Sequence, residues 1–306
     1  MKNPSPVAVF EAFAAITLWA ISFVFMKIAL RELAPVTVIC LRYGTGALLL
    51  GLLAWRRGYL IQLSPADLGR FAVLGLIGIT TQQLLQVSGQ ALAAASVASF
   101  LAATAPAFTV VLATLLLREQ LTPAQVVGVV LACLGSAVVA TNGDVLTIFR
   151  GQFGAPGNGL VLLSAIVWAV FTLMNKQSVR GRPAVLVTAA MFFFGWLFIL
   201  PFFIVQQGWR QLPGLSALGW LALGYVVLLA TVVAYLLNSH ALQQIPASRV
   251  AVIQNIEPLI ATLAAVAILG ESITLAMLLG GAGVVVGVYL AERGAPEVEE
   301  IAAEAR

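Results

Sequence analysis

The stretch ALAAASVASFLAATAPAFTVVLATLLLREQLT, residues 91–122, returns in weaker form as ALQQIPASRVAVIQNIEPLIATLAAVAILGESIT, residues 241–274. From the serine of each Ala-Ser pair onward the two copies keep a constant spacing, so that Pro106 matches Pro258 and Glu119 matches Glu271. Matching prolines and glutamates are not explained by a shared richness in Ala, Leu and Val. The sequence therefore contains an internal duplication.

The duplication also includes an earlier part of each copy. Trp19 and Lys27 match Trp168 and Lys176, with the same spacing between the tryptophan and the lysine. Each copy thus covers close to half of the chain.

The composition identifies the solvent in which this chain folds. It has 306 residues, of which 61% are hydrophobic and 9% are charged, and its mean hydropathy is +1.03. Soluble domains carry about 25% charged residues. An ordinary water-soluble protein is therefore excluded, and lipid should cover most of the surface. The net charge of +4 comes from few residues. We take their placement as a marker of membrane topology and expect no nucleic-acid partner.

Stretches of apolar sequence predict the fold class. A bilayer core of about 30 Å needs roughly 20 apolar residues per spanning helix. Ten stretches between polar, Pro and Gly breaks are long enough, which predicts an all-α membrane protein with ten transmembrane helices. In chain order, helices 1 to 10 are predicted at residues 8–30, 35–55, 70–90, 94–117, 122–141, 158–178, 184–206, 216–240, 247–269 and 274–291.

Lysines and arginines are unequally divided between the two sides of the predicted membrane. Eleven of the 16 fall on the side of the N-terminus and four on the other side, while Arg42 lies inside helix 2. By the positive-inside rule, both termini face the cytoplasm of a bacterial-type inner (plasma) membrane. The acidic tail, residues 292–306, should be a solvated and weakly ordered end.

The ten helices divide into two sets of five. Residues 8–141 form the first repeat, 142–157 a linker, and 158–291 the second repeat. Because five is odd, the second repeat enters the membrane in the opposite orientation. Inverted repeats are the architecture of secondary transporters, which expose a central site to each side in turn. The sequence therefore predicts a carrier for a small molecule that works by alternating access.

The repeated residues also resemble a known family, the EamA repeat of the drug/metabolite transporter superfamily, over about residues 10 to 291. The resemblance implies a ten-helix carrier, commonly an exporter of amino acids or related metabolites. It further implies that helices 1, 3, 4, 6, 8 and 9 surround a central cavity and that helices 5 and 10 are peripheral. Within the superfamily the chain is similar to YddG-type exporters of aromatic and other neutral amino acids. The residues that carry the resemblance are Ala91, Leu92, Ser96, Pro106, Arg118, Glu119, Leu121, Thr122, Gln125, Gly128 and Gly135, with Glu271, Thr274, Gly280 and Gly287 in the second copy.

Two tryptophans are candidates for the wall of the cavity. Trp19 and Trp168 each lie about ten residues into their helix, near the bilayer midplane, whereas membrane tryptophans normally occupy the interfaces. Ser22 and Thr172 lie one turn away on the same faces. An aromatic wall with a polar edge suits an amphipathic or aromatic solute. The alternative is that both rings only pack helix against helix.

Polar side chains on helices 3 and 8 should also face away from lipid. Helix 3 carries a stripe that includes Gln82 and Gln86, and helix 8 carries Tyr235 and Asn238 in the corresponding place. We predict that part of each stripe, together with Ser99 of helix 4, binds substrate. The alternative is hydrogen bonding between helices with no solute involved. His240, which has no metal-ligand companion, is interpreted as structural or interfacial.

The matched prolines indicate two bending points. Pro106 and Pro258 lie near the centres of helices 4 and 9, where each removes a backbone donor. Paired breaks at equivalent repeat positions are typical of binding or hinge sites, although an ordinary packing kink is the alternative. Gln254 and Asn255 beside the second break could satisfy a freed carbonyl or donate to a solute.

Glu257 is the acidic residue closest to the middle of a predicted helix, and its repeat counterpart is Ala105. An acidic side chain at the bilayer centre costs about 3 kcal/mol on insertion scales, so it should face a cavity, pair with a cation or be protonated. We predict that it couples transport to protons or binds a substrate amine; a satisfied structural carboxyl is the alternative. Glu11 in helix 1 is a second coupling candidate.

Several other residues have two possible roles. Lys27 and Lys176 end helices 1 and 6 on opposite faces of the membrane, where they act either as gates or as snorkelling side chains. Arg42 either snorkels or pairs internally. Glu119 and Glu271 are predicted to be structural. Small residues on helices 5 and 10, including a GxxxG at Gly283 and Gly287, predict close packing inside the chain or across a homodimer.

Other function classes find little support in the residues. There is one histidine, Cys40 and Cys133 lie in apolar runs, and metalloprotease, nucleophile-elbow, P-loop and complete dinucleotide motifs are missing. We expect no metal, no cofactor and no ATP as the energy source, which disfavours an intramembrane enzyme. A channel or scaffold is a further alternative. Uptake or facilitated movement of nucleobases, sugars or drugs is the alternative within the carrier class.

Overall fold

The structure is a computed structural model that describes residues 6–59, 64–117, 121–150, 153–178, 182–245 and 247–292. Within these ranges the regular structure is entirely helical, and ten helices are long and apolar enough to cross a membrane. We number them 1 to 10 in chain order: Pro6–Ala29, Pro35–Arg56, Pro65–Leu92, the interrupted helix from Ala95 to Leu117, Pro123–Ala140, Pro156–Ser178, Ala184–Val205, Ala217–Leu242, the interrupted helix from Ala247 to Leu269, and Leu275–Glu292. The end of the bundle where helix 1 begins is called the near end, and the opposite end the far end.

Helix boundaries follow local sequence signals. Helices 2, 3, 5 and 6 begin with a proline, whose missing N–H has no helical partner to lose at the first position. Helix 3 begins five residues before the hydropathy predicts, because Ser64 and Asp67 form a capping box. The Ser64 hydroxyl accepts from the Asp67 N–H at 3.2 Å, and the Asp67 carboxylate accepts from the Ser64 N–H at 2.9 Å. The same carboxylate pairs with Arg182 at 2.5 Å, just before helix 7.

The two repeats interlock. Helix 1 packs on helix 8, helix 3 on helix 6, helix 2 on helix 7 and helix 5 on helix 10. Every one of these pairs joins a helix of the first repeat to a helix of the second. The prediction of ten helices in two inverted five-helix repeats is confirmed.

Helices 5 and 10 approach one another through their glycines. A Cβ atom added at Gly128 would lie 2.4 Å from the Ala291 nitrogen, and one added at Gly287 would lie 2.3 Å from the Ala132 nitrogen. Only glycine allows the two backbones to come this close. The small-residue faces thus pack inside the chain, which decides between the two placements that the sequence leaves open.

Three of the ten helices change their winding, two of them at equivalent positions of the repeats. Helix 3 is π-helical over Gly75–Thr81 and helix 8 over Tyr225–Val233; a third π segment, Ala265–Leu269, ends helix 9. Thr231 donates to the carbonyl of Val226 at 2.8 Å, five residues earlier, and Thr80 donates to the carbonyl of Gly195 in helix 7 at 3.1 Å. Such wide turns often lie at functional sites.

Helices 4 and 9 are interrupted beside the matched prolines. Helix 4 consists of Ala95–Ala102 and Ala105–Leu117, and helix 9 of Ala247–Gln254 and Glu257–Ala264 followed by the π segment. Each break lies within four residues before its proline, as the loss of one backbone donor predicts. Their role as hinges remains a prediction. The acidic tail falls outside the described residues beyond Glu292.

Candidate functional site

A chain of aromatic rings runs through the centre of the bundle. Trp19 of helix 1 meets Tyr235 of helix 8 edge to face at 5.3 Å between centroids. Tyr235 meets Phe192 of helix 7 at 5.2 Å, and Phe192 meets Tyr43 of helix 2 at 4.9 Å, both in the same geometry. Four helices, two from each repeat, therefore contribute to one aromatic surface.

Trp19 is held in place by a backbone group in the π segment of helix 8. Its indole N–H donates to the carbonyl of Ala230 at 2.8 Å, and the ring is half-buried. The midplane indole therefore has a hydrogen-bond partner, and this partner is a main-chain oxygen. The ring is thus fixed while part of the residue stays accessible.

Arg42 lies beside this surface, about 10 Å along helix 2 from the far end, as seven residues of helical rise require. Its side chain is buried, with 9% of the surface exposed. Nε donates to the Thr231 hydroxyl at 2.6 Å, and Nη1 donates to the Gln83 side-chain oxygen at 3.3 Å. The guanidinium carbon lies 5.2 Å from the centre of the Tyr43 ring. No carboxylate in the described part of the chain pairs with it.

The glutamines of helix 3 form a connected row. Gln83 donates to Gln82 at 2.6 Å, and Gln82 donates to Gln86 at 2.7 Å. Gln82 and Gln83 are buried, whereas Gln86 is half-buried. The row ends at Arg42, so the predicted polar stripe continues into a buried positive charge. We call Trp19, Arg42, Tyr43, Gln83, Phe192, Thr231 and Tyr235 the central cluster.

Glu257 is a second charged residue near Tyr235. It is the first residue of the second segment of helix 9, which packs on helix 1, and its side chain is half-buried. Tyr235 lies within electrostatic range of both Glu257 and Arg42. Within the residues that the structure describes, no donor is hydrogen bonded to the Glu257 carboxylate. The predicted coupling residue therefore stands next to the aromatic surface with its oxygens unengaged.

Trp168 occupies a similar place in the second repeat. Its half-buried ring contacts Phe171 at 5.1 Å. Phe171 in turn presses against Gly78 in the π segment of helix 3, where an added Cβ would lie 2.2 Å from the ring. Helix 1, which carries Trp19, thus packs on the π segment of helix 8, and helix 6, which carries Trp168, packs on the π segment of helix 3. The two tryptophans belong to separate contacts and do not touch one another.

The far end of the bundle carries two opposite charges on one connection. Lys27 donates to the carbonyls of Gln90 and Ala91, each at 3.0 Å, and to that of Ala93 at 2.5 Å, where helix 3 ends. Glu271 accepts from the N–H groups of Ala95 at 2.7 Å and Ser96 at 3.1 Å, and from the Ser96 hydroxyl, where helix 4 begins. A cation at a helix C-terminus and an anion at a helix N-terminus both complement the helix dipole. We call this arrangement the far-end clamp.

The sequence counterparts of the far-end clamp belong to the near end. Lys176 and Glu119 are the repeat counterparts of the clamp residues, and the connection between helices 8 and 9 is the counterpart of residues 93–94. The side chains of Lys176 and Glu119 lie outside the described residues. At the same end of the bundle, where helix 8 ends and helix 1 begins, His240 contacts the Glu11 carboxylate at 2.7 Å, which agrees with an interfacial position for this histidine.

Glu32 makes a smaller cap of the same kind at the start of helix 8. Its carboxylate accepts from the Ser216 N–H at 2.7 Å and from the Ser216 hydroxyl at 2.6 Å. These hydrogen bonds hold the pKa of Glu32 below its ordinary value. Unlike Glu271, this carboxylate is exposed.

The remaining predicted residues lie in different surroundings. Ser22 and Ser99 donate to carbonyls of their own helices, at 2.6 Å and 2.7 Å. Thr172 does the same at 2.8 Å and is exposed. Asn255 donates to Glu292 of helix 10 at 3.2 Å, so its amide is engaged away from the central cluster. Gln254 is exposed.

Two further polar places lie outside the central cluster, at Asn238 and in a pocket at the far end. Asn238 has a buried side-chain oxygen without a hydrogen-bond donor. A cavity of about 510 Å³ opens at the far end, lined by Ser96, Thr141, Asn158 and Glu271 among others. Its lining comes mainly from helix ends and connections, and it lies apart from the central cluster. Groups of three or more metal-ligating side chains do not occur among the described residues.

For Arg42 the sequence leaves snorkelling and internal pairing open. The criterion that selects Glu257, a charge inside a helix with an uncharged repeat counterpart, applies equally to Arg42, whose counterpart is Met191. Its position closer to a helix end made snorkelling an equal alternative. The structure shows internal hydrogen bonding instead.

Comparison with known proteins now decides the family. The model of the EamA-like transporter family matches residues 7–141 and 155–292, nearly the whole of both repeats. The chain belongs to the EamA-like transporter family. It is therefore a multi-pass membrane transporter and not an enzyme, as the sequence predicts.

Similar proteins within the EamA-like family span most of the chain. A protein of Archaeoglobus fulgidus named as an uncharacterized transporter is 26% identical, covering 91% of this chain and 96% of its own. A probable terminal-alkyne amino-acid exporter of Streptantibioticus cattleyicolor is 28% identical over 74% of each chain. A probable amino-acid metabolite efflux pump of Salmonella typhimurium is 24% identical, covering 92% and 93%. One solved structure shares the fold, with a TM-score of 0.63 at 21% identity over 93% of this chain and 96% of that one.

Proposed function

We propose that this transporter exports neutral amino acids, aromatic ones above all, across the plasma membrane by alternating access. The observation that carries the proposal is the aromatic surface from Trp19 to Tyr43 beside the unengaged carboxylate of Glu257. Aromatic walls favour a flat apolar side chain, and a carboxylate favours an ammonium group. The names of the Streptantibioticus and Salmonella relatives, both of which mention amino acids, support the same substrate class.

Glu257 is the proposed coupling residue. An ammonium group and a proton compete for one carboxylate, so binding of a proton from one side releases a substrate that arrived from the other. This exchange needs a carboxylate that accepts no hydrogen bond from the protein. Among the described residues, no donor is hydrogen bonded to Glu257. Proton entry then drives amino-acid exit.

Alternating access is proposed to use the two ends of the repeats in turn. The far-end clamp, with Lys27 as its gate, ties helix 1 to the end of helix 3 and the segment after helix 9 to the start of helix 4. Lys176 is the proposed gate at the near end, on the connection of helices 8 and 9. Pro106 and Pro258 would supply the hinges, because both helices are already interrupted there. Both termini are proposed to face the cytoplasm, and the excess of positive charge on the N-terminal side supports this orientation.

Counterflow in proteoliposomes tests the proposal. Radiolabelled phenylalanine should accumulate when unlabelled phenylalanine is inside, with saturation, and an imposed proton gradient should increase the accumulation. Glu257→Gln should abolish the effect of the gradient. Asp144→Asn also replaces a carboxylate by an amide, but at an exposed position of the far end. It is the matched control and should behave as wild type.

Two results would contradict the proposal. Absence of saturable counterflow for every amino acid in a panel would remove the substrate class, and a panel of nucleobases, sugars and drugs would then identify the alternative carrier. A Glu257→Gln variant that still responds to the proton gradient would remove Glu257 as the coupling residue.

A further inference from the structure

The central cluster contains a buried cation whose hydrogen-bonding capacity is only partly used. A guanidinium group has five N–H donors, and Arg42 commits Nε to Thr231 and one donor of Nη1 to Gln83. Neither N–H of Nη2 has an acceptor within the described residues. A charge in a membrane interior is stable only when paired or when it faces a polar cavity.

A second unpartnered group lies beside it. The side chain of Tyr43 is fully buried, and its hydroxyl has no hydrogen-bond partner. Its ring lies under the Arg42 guanidinium, 5.2 Å from the guanidinium carbon. Buried hydroxyls are rarely left without a partner. Two adjacent residues thus each have donors for which the protein supplies no acceptor.

The hydrogen bonds that do exist fix the orientation of the guanidinium. Thr231 holds Nε from helix 8, and Gln83 holds Nη1 from helix 3, so the plane of the group is set by two helices. The free edge, formed by Nη2 and the second donor of Nη1, is pre-organised for a planar bidentate acceptor. A carboxylate is the acceptor that fits this edge.

The opposite charge lies on helix 9, whose second segment packs on helix 1, the helix that carries Trp19. Glu257 is unengaged, and Tyr235 lies within electrostatic range of both charges, yet the two form no ion pair with one another. A molecule that bridges them must carry an anion at one end and a cation at the other. An α-amino acid in its zwitterionic form satisfies both and leaves its side chain for the aromatic rings.

We propose that Arg42 binds the α-carboxylate of the transported amino acid, with the Tyr43 hydroxyl as an additional donor, while Glu257 takes the α-ammonium group. This inference rests on the proposed function and specifies what the transporter recognises. Asymmetry between the repeats agrees with it, because Arg42 and Glu257 have Met191 and Ala105 at the equivalent positions. Each repeat thereby contributes one charge to a single site.

Competition against labelled phenylalanine tests the inference in the wild-type protein. Phenylalaninamide has the same shape and ammonium group but no carboxylate, and it should compete at least about tenfold more weakly than phenylalanine, as loss of charge-assisted hydrogen bonds predicts. Equal competition by the amide would overturn the role of Arg42 without touching the proposed function. Lack of counterflow for every amino acid would overturn both.

Variants separate recognition from support of the fold. Arg42→Gln should weaken competition by phenylalanine and leave that by phenylalaninamide nearly unchanged, so that the preference for the acid disappears. Thr231→Val removes one hydrogen bond to Arg42 but keeps its charge, and it should retain the preference. An Arg42→Gln variant that loses affinity for the acid and the amide by the same factor would show a structural role and overturn the proposal.

Discussion

Replacing Glu271 by glutamine should loosen the beginning of helix 4. One carboxylate oxygen accepts from the Ala95 N–H at 2.7 Å, and the other accepts from the N–H and hydroxyl of Ser96. Glutamine keeps a single acceptor oxygen and presents an NH₂ group in place of the other. At least one of the two backbone N–H groups therefore loses its acceptor, whichever way the amide is turned.

The size of the effect follows from the number and exposure of these bonds. A hydrogen bond to a charged group contributes about 1.5–3 kcal/mol. Glu271 is half-buried, so the lower part of that range applies, and we expect a loss of about 2 kcal/mol in the free energy of unfolding. For a chain of this size, an unfolding entropy of about 2.1 cal/mol/K per residue converts that loss into a fall of about 3 °C in Tm.

Thermal unfolding in detergent measures the change, and a double-mutant cycle isolates its cause. Ser96→Ala removes one of the three donors, so Glu271→Gln should lower Tm less in that background than in wild type. Glu32→Gln is the matched control, since Glu32 accepts an equivalent N–H and hydroxyl pair from Ser216 but is exposed, and its effect should be much smaller. An equal fall in Tm with and without Ser96→Ala would refute the reasoning.

Three further predictions concern packing, the clamp and pH. Gly128→Ala should lower Tm by several degrees, because overpacking costs about 1–3 kcal/mol. The control Gly51→Ala, with nothing within 4 Å of the added Cβ, should leave Tm unchanged. Equal effects of the two substitutions would argue against backbone contact between helices 5 and 10. Lys27→Met should speed hydrogen exchange of the amides in residues 91–96, and unchanged exchange would exclude a clamp. The lowered pKa of Glu32 means that its carboxylate stabilises the fold above the ordinary value of 4.5 and that this contribution is lost as pH falls. The difference in Tm between wild type and Glu32→Gln should therefore shrink on acidification, and a constant difference would disprove the linkage.

The sequence alone is enough to predict the helices, because in lipid every spanning segment must satisfy its own backbone and must be apolar. The breaks near Pro106 and Pro258 are also predictable, since a missing N–H acts locally. The start of helix 3 is a local signal that hydropathy hides, because Asp67 lowers the apparent apolar length while its carboxylate caps the helix.

Partners distant in the chain are what sequence reasoning could not supply. Glu271 was predicted to be structural, but its acceptance of hydrogen bonds from Ala95 and Ser96 joins residues some 175 positions apart. The same limit applies to Arg42, whose hydrogen-bond partners Thr231 and Gln83 lie on two other helices. The local sequence contains no signal that predicts the π segment of helix 8, which brings Ala230 and Thr231 to their positions.

The interlocking of the repeats has a consequence for biogenesis. Each helix pair joins an early helix to a late one, so the first five helices enter the membrane before most of their partners have been synthesised. During that interval Arg42 lacks the Thr231 hydroxyl, and the backbone face of Gly128 lacks helix 10. The first half must therefore wait in the bilayer in a provisional arrangement. Final packing can begin only when helix 6 arrives, Arg42 gains Thr231 with helix 8, and the packing closes with helix 10.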